Sequence, residues 1–238
     1  FQKSGEVPLV GQWRFRWLEE GASPAQEAFF EIPSVWNGTP NPNRRGEEIG
    51  SNGYGIFQLD LILPQDPAIR NQLGIMVPEV GSAFTMSVHY GEEKLLIAQA
   101  GSPALTAAQA IPSRLSNIGS LQGIPNKITI EWRISNHTHY YGGPWYRPVI
   151  GHKTTIEKRV TSNRLVDFGL IAILMIMSVY HFALVYERPK DKPSLWFGIT
   201  CLTVCLRQIG TVRAPELFSL EPSHLLYECS LRITYISI

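Results

Sequence analysis

Between Leu165 and Tyr186 the chain reads LVDFGLIAILMIMSVYHFALVY, with the carboxylate of Asp167 near its start, no other charge and no proline. Apolar residues fall on every side of a helix drawn through it, whereas a helix at the edge of a soluble core keeps a polar stripe. The run also meets the roughly 20 apolar residues that a bilayer requires. The pattern therefore predicts a membrane-spanning helix over 165–186, with Thr161, Ser162 and Asn163 as candidate caps. A second apolar run from Ser194 to about Val212, interrupted by Arg207 and Gln208, predicts a return helix. Leu225 onward opens a third, partial span. The link between the first two carries Arg188, Lys190 and Lys192, so the positive-inside rule puts the loop 187–193 in the cytoplasm and the front of the chain on the other side.

Ahead of about Arg159 the period changes from helical to two. Trp13, Phe15 and Trp17 alternate with Gln12, Arg14 and Arg16. The same alternation recurs in Phe57, Leu59, Leu61 and Leu63, in Phe84, Met86, Val88 and Tyr90, and in Ile128, Ile130, Trp132 and Ile134. Each run predicts a half-buried strand. Gly53, Pro64 to Pro67, Pro78 to Gly81, Gly101 to Pro103 and Pro125-Asn126 separate the runs as turns, and Tyr90-Gly91-Glu92-Glu93 reads as a hairpin tip. Many short strands without intervening helices predict an antiparallel β-sandwich of the jelly-roll kind. The expected organisation is a two-domain protein: an all-β sandwich over 1–159, then α-helical transmembrane segments over 160–238.

Composition refines this picture in three places. The formal net charge is +1 and no Lys or Arg run stands out, which excludes a nucleic-acid footprint. All three cysteines, Cys201, Cys205 and Cys229, follow Leu165, so the sandwich must hold itself together by its apolar core. Cys201 and Cys205, four apart on a helix, read as small apolar residues of a membrane helix rather than as a metal or redox pair. Phe1 follows no signal-like stretch and Ile238 falls within an apolar run, so a signal peptide upstream and further chain downstream are expected.

Candidate ligand groups lie in two loops. Trp36, before Asn37-Gly38, is either a flat face for a sugar ring or a core anchor. The polar stretch from Asn37 to Asn52 contains Arg44 and Arg45 and has the length of a binding loop. His137 and His139 are two apart, which on a strand puts both imidazoles on one side, but no third metal ligand is near and no metal or other cofactor is expected. The richest aromatic stretch, His139 to Arg147, includes Tyr140, Tyr141, Trp145 and Arg147. Aromatic faces with an Arg fork suit a carbohydrate or a small carboxylate, while Trp and Tyr ahead of a span also serve as interfacial anchors. Asp60 and Glu131 fall on the solvent side of their strands in this reading, and no nucleophile or zinc motif accompanies them, so the chain as given is expected to lack catalysis. Within the spans Arg207 is costly unless partnered. Asp167 and Glu228 lie at a similar depth, so Arg207 either pairs with one or both of them or snorkels to the headgroups.

The phrases Gly11-Gln12-Trp13-Arg14-Phe15-Arg16-Trp17, Ile32-Pro33-Ser34-Val35-Trp36-Asn37 and Gly53-Tyr54-Gly55-Ile56-Phe57-Gln58-Leu59 resemble the galactose-binding-like jelly rolls of glycoside hydrolases and bacterial sensor ectodomains. Ile134-Ser135-Asn136-His137, then Tyr141-Gly142-Gly143 and Ile150-Gly151, just before a span, resemble the bacterial seven-transmembrane receptors with diverse intracellular signalling modules. That resemblance implies seven spans and a cytoplasmic output module such as a nucleotide cyclase or histidine kinase. It also implies an inner-membrane location, a periplasmic sandwich that meets a small molecule or carbohydrate, and dimerisation through the membrane or output region. Two other classes fit the same residues: a membrane-tethered carbohydrate-binding module without signalling, and a piece of a transporter or membrane enzyme.

Overall fold

A computed structural model describes residues 5–19, 26–113, 116–212, 228, 229 and 232 of the chain. The chain divides into two compact units, Phe1–Glu157 and Lys158–Ile238. The first is an antiparallel sandwich of ten strands among the described residues. Its larger sheet has six strands: β2 (Gly11–Leu18), β3 (Glu27–Ile32), β4 (Gly53–Ile62), β6 (Ala83–Tyr90), β7 (Glu93–Ala100) and β9 (Lys127–Asn136), in the order β3-β2-β4-β9-β6-β7. The smaller has β1 (Glu6–Pro8), β5 (Leu73–Val77), β8 (Asn117–Ser120) and β10 (Val149–His152), in the order β1-β10-β5-β8. One helical turn, α1 (Pro67–Arg70), sits between β4 and β5, with the Asp66 side chain accepting from the Ala68 N–H as its cap.

The period-two reading holds in full at three of its runs, where Trp13, Phe15 and Trp17, Phe84, Met86 and Val88, and Ile128, Ile130, Trp132 and Ile134 are buried. In the fourth Phe57 and Leu63 are buried, and Leu59 and Leu61 are half-buried. Register explains how these become one core: Phe15 faces Phe57 across β2 and β4, and Phe57 faces Trp132 across β4 and β9. The aromatic rings then touch in series, Phe15 on Phe57 at 4.9 Å, Phe30 on Phe57 at 5.3 Å and Trp13 on Trp132 at 6.3 Å between centroids. Each such pair adds roughly 0.5–1.5 kcal/mol beyond area burial. The expected hairpin tip is also present: β6 and β7 pair Tyr90 with Glu93 around Gly91, whose φ of 59° is easy for glycine.

The long helix begins earlier than its predicted caps. α2 spans Lys153–Glu187, which places Thr161, Ser162 and Asn163 inside the helix. Packing overrides the local capping signal: Ile156 is fully buried, and the Lys153 N–H is satisfied by the Gln72 carbonyl at 2.9 Å. The predicted return helix forms as α3 (Lys192–Val212). Among the described residues one helix, α2, is long and apolar enough to cross a membrane, and almost none of its apolar window is buried. The predicted third span lies outside the described residues apart from Glu228, Cys229 and Arg232.

Gly53 opens β4 at φ 150°, and a Cβ there would lie 2.2 Å from two ring carbons of Trp17. Because Trp17 is locked between Phe15 and Trp36, Gly53→Ala should destabilise the sandwich by more than the roughly 1–3 kcal/mol of ordinary overpacking. Chemical denaturation of the full chain in detergent, followed by Trp fluorescence, measures this; an unchanged midpoint would show that Trp17 can move aside.

Candidate functional site

Three groupings of polar and aromatic side chains stand out: the loop cluster after β9, a charged network on the outer face of the large sheet, and the helix pair of the second unit.

Asn136, at the end of β9, organises the first. Its side-chain amide donates to the carbonyls of Ser51 at 2.9 Å and His139 at 2.8 Å, and its oxygen accepts from the His139 N–H at 3.0 Å. Asn37 staples the loop from the other side, donating to the Tyr140 carbonyl and accepting from the Gly142 N–H, each at 2.9 Å. Neither asparagine is among the ligand candidates that the sequence offers; Asn136, ending a strand ahead of a turn, is at a position where such side-chain to backbone bonds are common. His139 is buried against Trp145 at 4.5 Å, and its Nδ1 accepts from the Tyr141 N–H at 3.1 Å. The Tyr141 carbonyl lies at the same distance from Nδ1, 3.1 Å, so the ring is held against the backbone of Tyr141. Tyr140 and Tyr141 meet edge to face at 4.7 Å and remain exposed, as do Tyr146 and Arg147.

The structure thus brings together His139, Tyr140, Tyr141 and Trp145. Trp36 lies beneath them with 0% exposure, stacked on Phe57, its Nε1 donating to the Ser51 carbonyl at 3.0 Å. Both positions open to it in the sequence are therefore resolved toward the core: no face is left for a ligand. A Cβ on Gly142 would fall 2.2 Å from its ring, so the loop rests directly on this indole. His137 turns elsewhere, its Nε2 2.9 Å from the Ala104 carbonyl, and does not share a site with His139. Arg44 lies in the other loop, paired with Glu19 at 3.0 Å and Glu47 at 3.3 Å, and Arg45 is exposed there. That loop is folded on itself, with Ile49 bonding Thr39 and Asn41 bonding Glu47 through the backbone. Among the described residues no group of three or more His, Cys, Asp or Glu side chains is placed to hold a metal ion.

The second grouping corrects the sequence reading of Glu131. Its alternation does put it on the outer face, yet its side chain is only 4% exposed. Neighbouring strands cover it: Lys94 Nζ lies 2.9 Å away, Arg133 Nε 2.7 Å, Gln58 Nε2 2.9 Å and His89 Nε2 3.4 Å. Burial alone would raise its pKa, but the hydrogen bonds from Lys94 and Arg133 win and hold it at about 2. Asp60, by contrast, is exposed as expected and bonds Arg14 at 2.8 Å and Thr129 at 2.6 Å. Glu131 is therefore an ionised carboxylate at neutral pH, tied to side chains of three strands.

In the second unit α2 and α3 run antiparallel. Asp167 accepts from Gln208 at 3.2 Å, the Cys205 thiol lies 3.6 Å from the Ile171 carbonyl, Ser178 donates to the Gly198 carbonyl at 3.0 Å, and His181 meets Phe197 at 4.4 Å. Cys201 and Cys205 are buried free thiols in this seam. Small residues that let backbones approach are what helix pairs use where lipid tails offer no hydrophobic drive. Glu228 bonds Arg232 one turn on at 2.9 Å.

The sign of the Glu131 contribution follows from its lowered pKa. The fold gains fully above pH about 4.5 and loses the gain as pH falls toward 2, an amount on the order of 3 kcal/mol. Glu131→Gln should be less stable at pH 7 and should lose this part of the acid dependence. Urea midpoints of both proteins at pH 7, 4.5 and 3 test it; parallel pH profiles would contradict it.

No family model matches the sequence, and no curated protein matches it. Among solved structures, the chain aligns with Ruminococcus gnavus β-glucuronidase in complex with N1-substituted uronic isofagomine at 11% identity and a TM-score of 0.46, over 64% of this chain and 31% of the other. The same enzyme with uronic isofagomine gives 12% identity and 0.44, over 62% and 28%. Bacteroides uniformis β-glucuronidase 2 gives 12% and 0.41, over 62% and 18%. The chain spans under a third of the length of these enzymes.

Proposed function

We propose that the chain is the sensing front of a membrane receptor. A sandwich of the galactose-binding-like kind stands outside the cytoplasm, α2 and α3 form the first two spans, and the loop after α2 lies in the cytoplasm. The observation that carries this reading is the surface of α2. Over 165–186 it presents Leu165, Leu170, Ile173, Met175 and Ile176 as exposed apolar side chains over more than half of the helix circumference, a surface that water does not tolerate and lipid solvates. Arg188, Lys190 and Lys192 at its far end fit the cytoplasmic side.

One helix carries the chain from the first unit to the second, since α2 begins with Lys153 and ends with Glu187. Recognition of a ligand or a partner protein by the sandwich would therefore act on an element that continues into the membrane. Signalling requires that the ligand bind two states of the helices with different affinity. The Asp167–Gln208 contact and the Arg207 beside it are polar groups within the spans, the positions where such states would differ most in energy. The output activity belongs to a cytoplasmic module elsewhere in the protein, a cyclase or kinase in receptors of the resembling kind, and this chain supplies no catalysis.

The test is membrane integration. Expressed in cells, the chain should float with vesicles and resist alkaline carbonate extraction. Ile173→Arg with Ile176→Arg should release it to the soluble fraction, because each arginine near the centre of a span costs about 2.5–3.5 kcal/mol. Recovery of the unaltered chain in the carbonate supernatant would overturn the reading.

A further inference from the structure

A groove of about 380 Å³ opens at the end of the large sheet where β4 stops, β6 turns into β7 and β9 begins. Asp60, Ile62, His89, Tyr90, Lys127 and Thr129 line it. It lies at the opposite end of β4 and β9 from the Asn136 loop cluster, ten residues away along each strand, or about 30 Å. Its volume falls at the lower end of the roughly 300–1,000 Å³ of small-molecule sites.

Four of these side chains carry unspent capacity. Ile62 is 80% exposed, an aliphatic side chain held in water by its strand register opposite Lys127. The Lys127 ammonium has no hydrogen bond or ion pair among the described residues. Asp60 spends Oδ1 on Arg14 and Thr129, which fixes its carboxylate plane and leaves Oδ2 as an acceptor. Thr129 donates its proton to Asp60, so its oxygen can only accept from a newcomer. The floor is stiff. His89 and Thr129 flank Glu131, whose bonds to Lys94, Arg133 and Gln58 tie β4, β9 and β7 together beneath the groove.

The groove therefore offers a free cation, two fixed acceptors for hydroxyl protons, and an apolar side chain in Ile62. We propose that it binds a small hydroxylated carboxylate of the hexuronate class. Lys127 receives the carboxylate, Asp60 and Thr129 accept from ring hydroxyls, and Ile62 covers the C–H face of the ring. A neutral sugar lacks the group that Lys127 recognises; a simple carboxylate lacks the hydroxyls and the ring. The inference rests on the ligand-recognition half of the proposed function and is independent of whether α2 crosses a bilayer, which flotation decides separately.

Saturation-transfer NMR on the full chain in nanodiscs, with sodium D-glucuronate, D-glucose or sodium acetate at millimolar concentration, tests it. Glucuronate should receive saturation, glucose should bind about tenfold more weakly, the scale of one charge-assisted contact, and acetate should show none. Lys127→Ala should reduce glucuronate binding about tenfold, and Asp60→Asn, which keeps an acceptor for Arg14 and Thr129, should also weaken it. Thermal melts of both variants should match the parent, and Phe29→Ala, on the exposed side of the edge strand β3, should bind as the parent does. The proposal is overturned by absence of transfer to glucuronate, by binding that survives both Lys127→Ala and Asp60→Asn, or by loss in Tyr141→Ala with Lys127→Ala unaffected, which would move the ligand to the loop cluster.

Discussion

An apolar helical surface with no protein against most of it among the described residues sets the terms for this molecule. Burying apolar area is worth about 25 cal/mol per Å², and over 165–186 α2 leaves that gain unclaimed on all but the side that meets α3. Most contacts along that side are small or polar: Ser178 on Gly198, Cys205 on Ile171, Gln208 on Asp167, with His181 on Phe197 the aromatic exception. They bring the two backbones close without creating a hydrophobic core. Such a pair is poorly stable in water and well suited to lipid, where the helical backbone satisfies its own hydrogen bonds and close packing decides association.

The sandwich needs no such solvent. Its cohesion comes from a run of rings fed by four adjacent strands, Phe30, Phe15, Phe57 and Trp132, with Trp13, Trp17 and Trp36 filling between them. No disulfide contributes, since the three cysteines lie in the other unit or near the end of the chain. At one end Asn136 and Asn37 bind the aromatic loop to this core; on the outer face Glu131 crosslinks β4, β7 and β9 by charge. The two ends of the long strands are thus chemically distinct, one closed by packing and the other open and partly unpaired.

Much of this was legible in the residues. Period-two alternation located β2, β4, β6 and β9 because most of their large apolar side chains fall at every second position, and the aromatic identity of those positions already named the core. The strands of the small sheet were harder. β5 reads LGIMV without alternation, and β8 and β10 have four residues each, so neither carries enough periods to show one. The start of α2 is displaced because Ile156 is fully buried, a tertiary effect that local capping residues cannot reveal. Among site candidates, the aromatic loop was visible as composition, but the fate of Trp36 depended on a stack with Phe57 formed across two elements. Glu131 was misplaced for a similar reason. Alternation tells which face a residue takes, and only the neighbours Lys94, Arg133 and Gln58 on three strands decide whether that face is wet. The groove was invisible because its members come from three strands that converge only in the fold.

The central claim is that lipid surrounds α2. Spin labels placed singly from Leu165 to Tyr186 in the full chain reconstituted in bilayers, read by their relative collision rates with oxygen and a polar nickel chelate, measure depth residue by residue. The account predicts a depth parameter that climbs to a maximum near Met175 and falls again at both ends. A flat, water-like profile along the helix, or one that oscillates with a period of 3.6 residues about an aqueous mean, would contradict it.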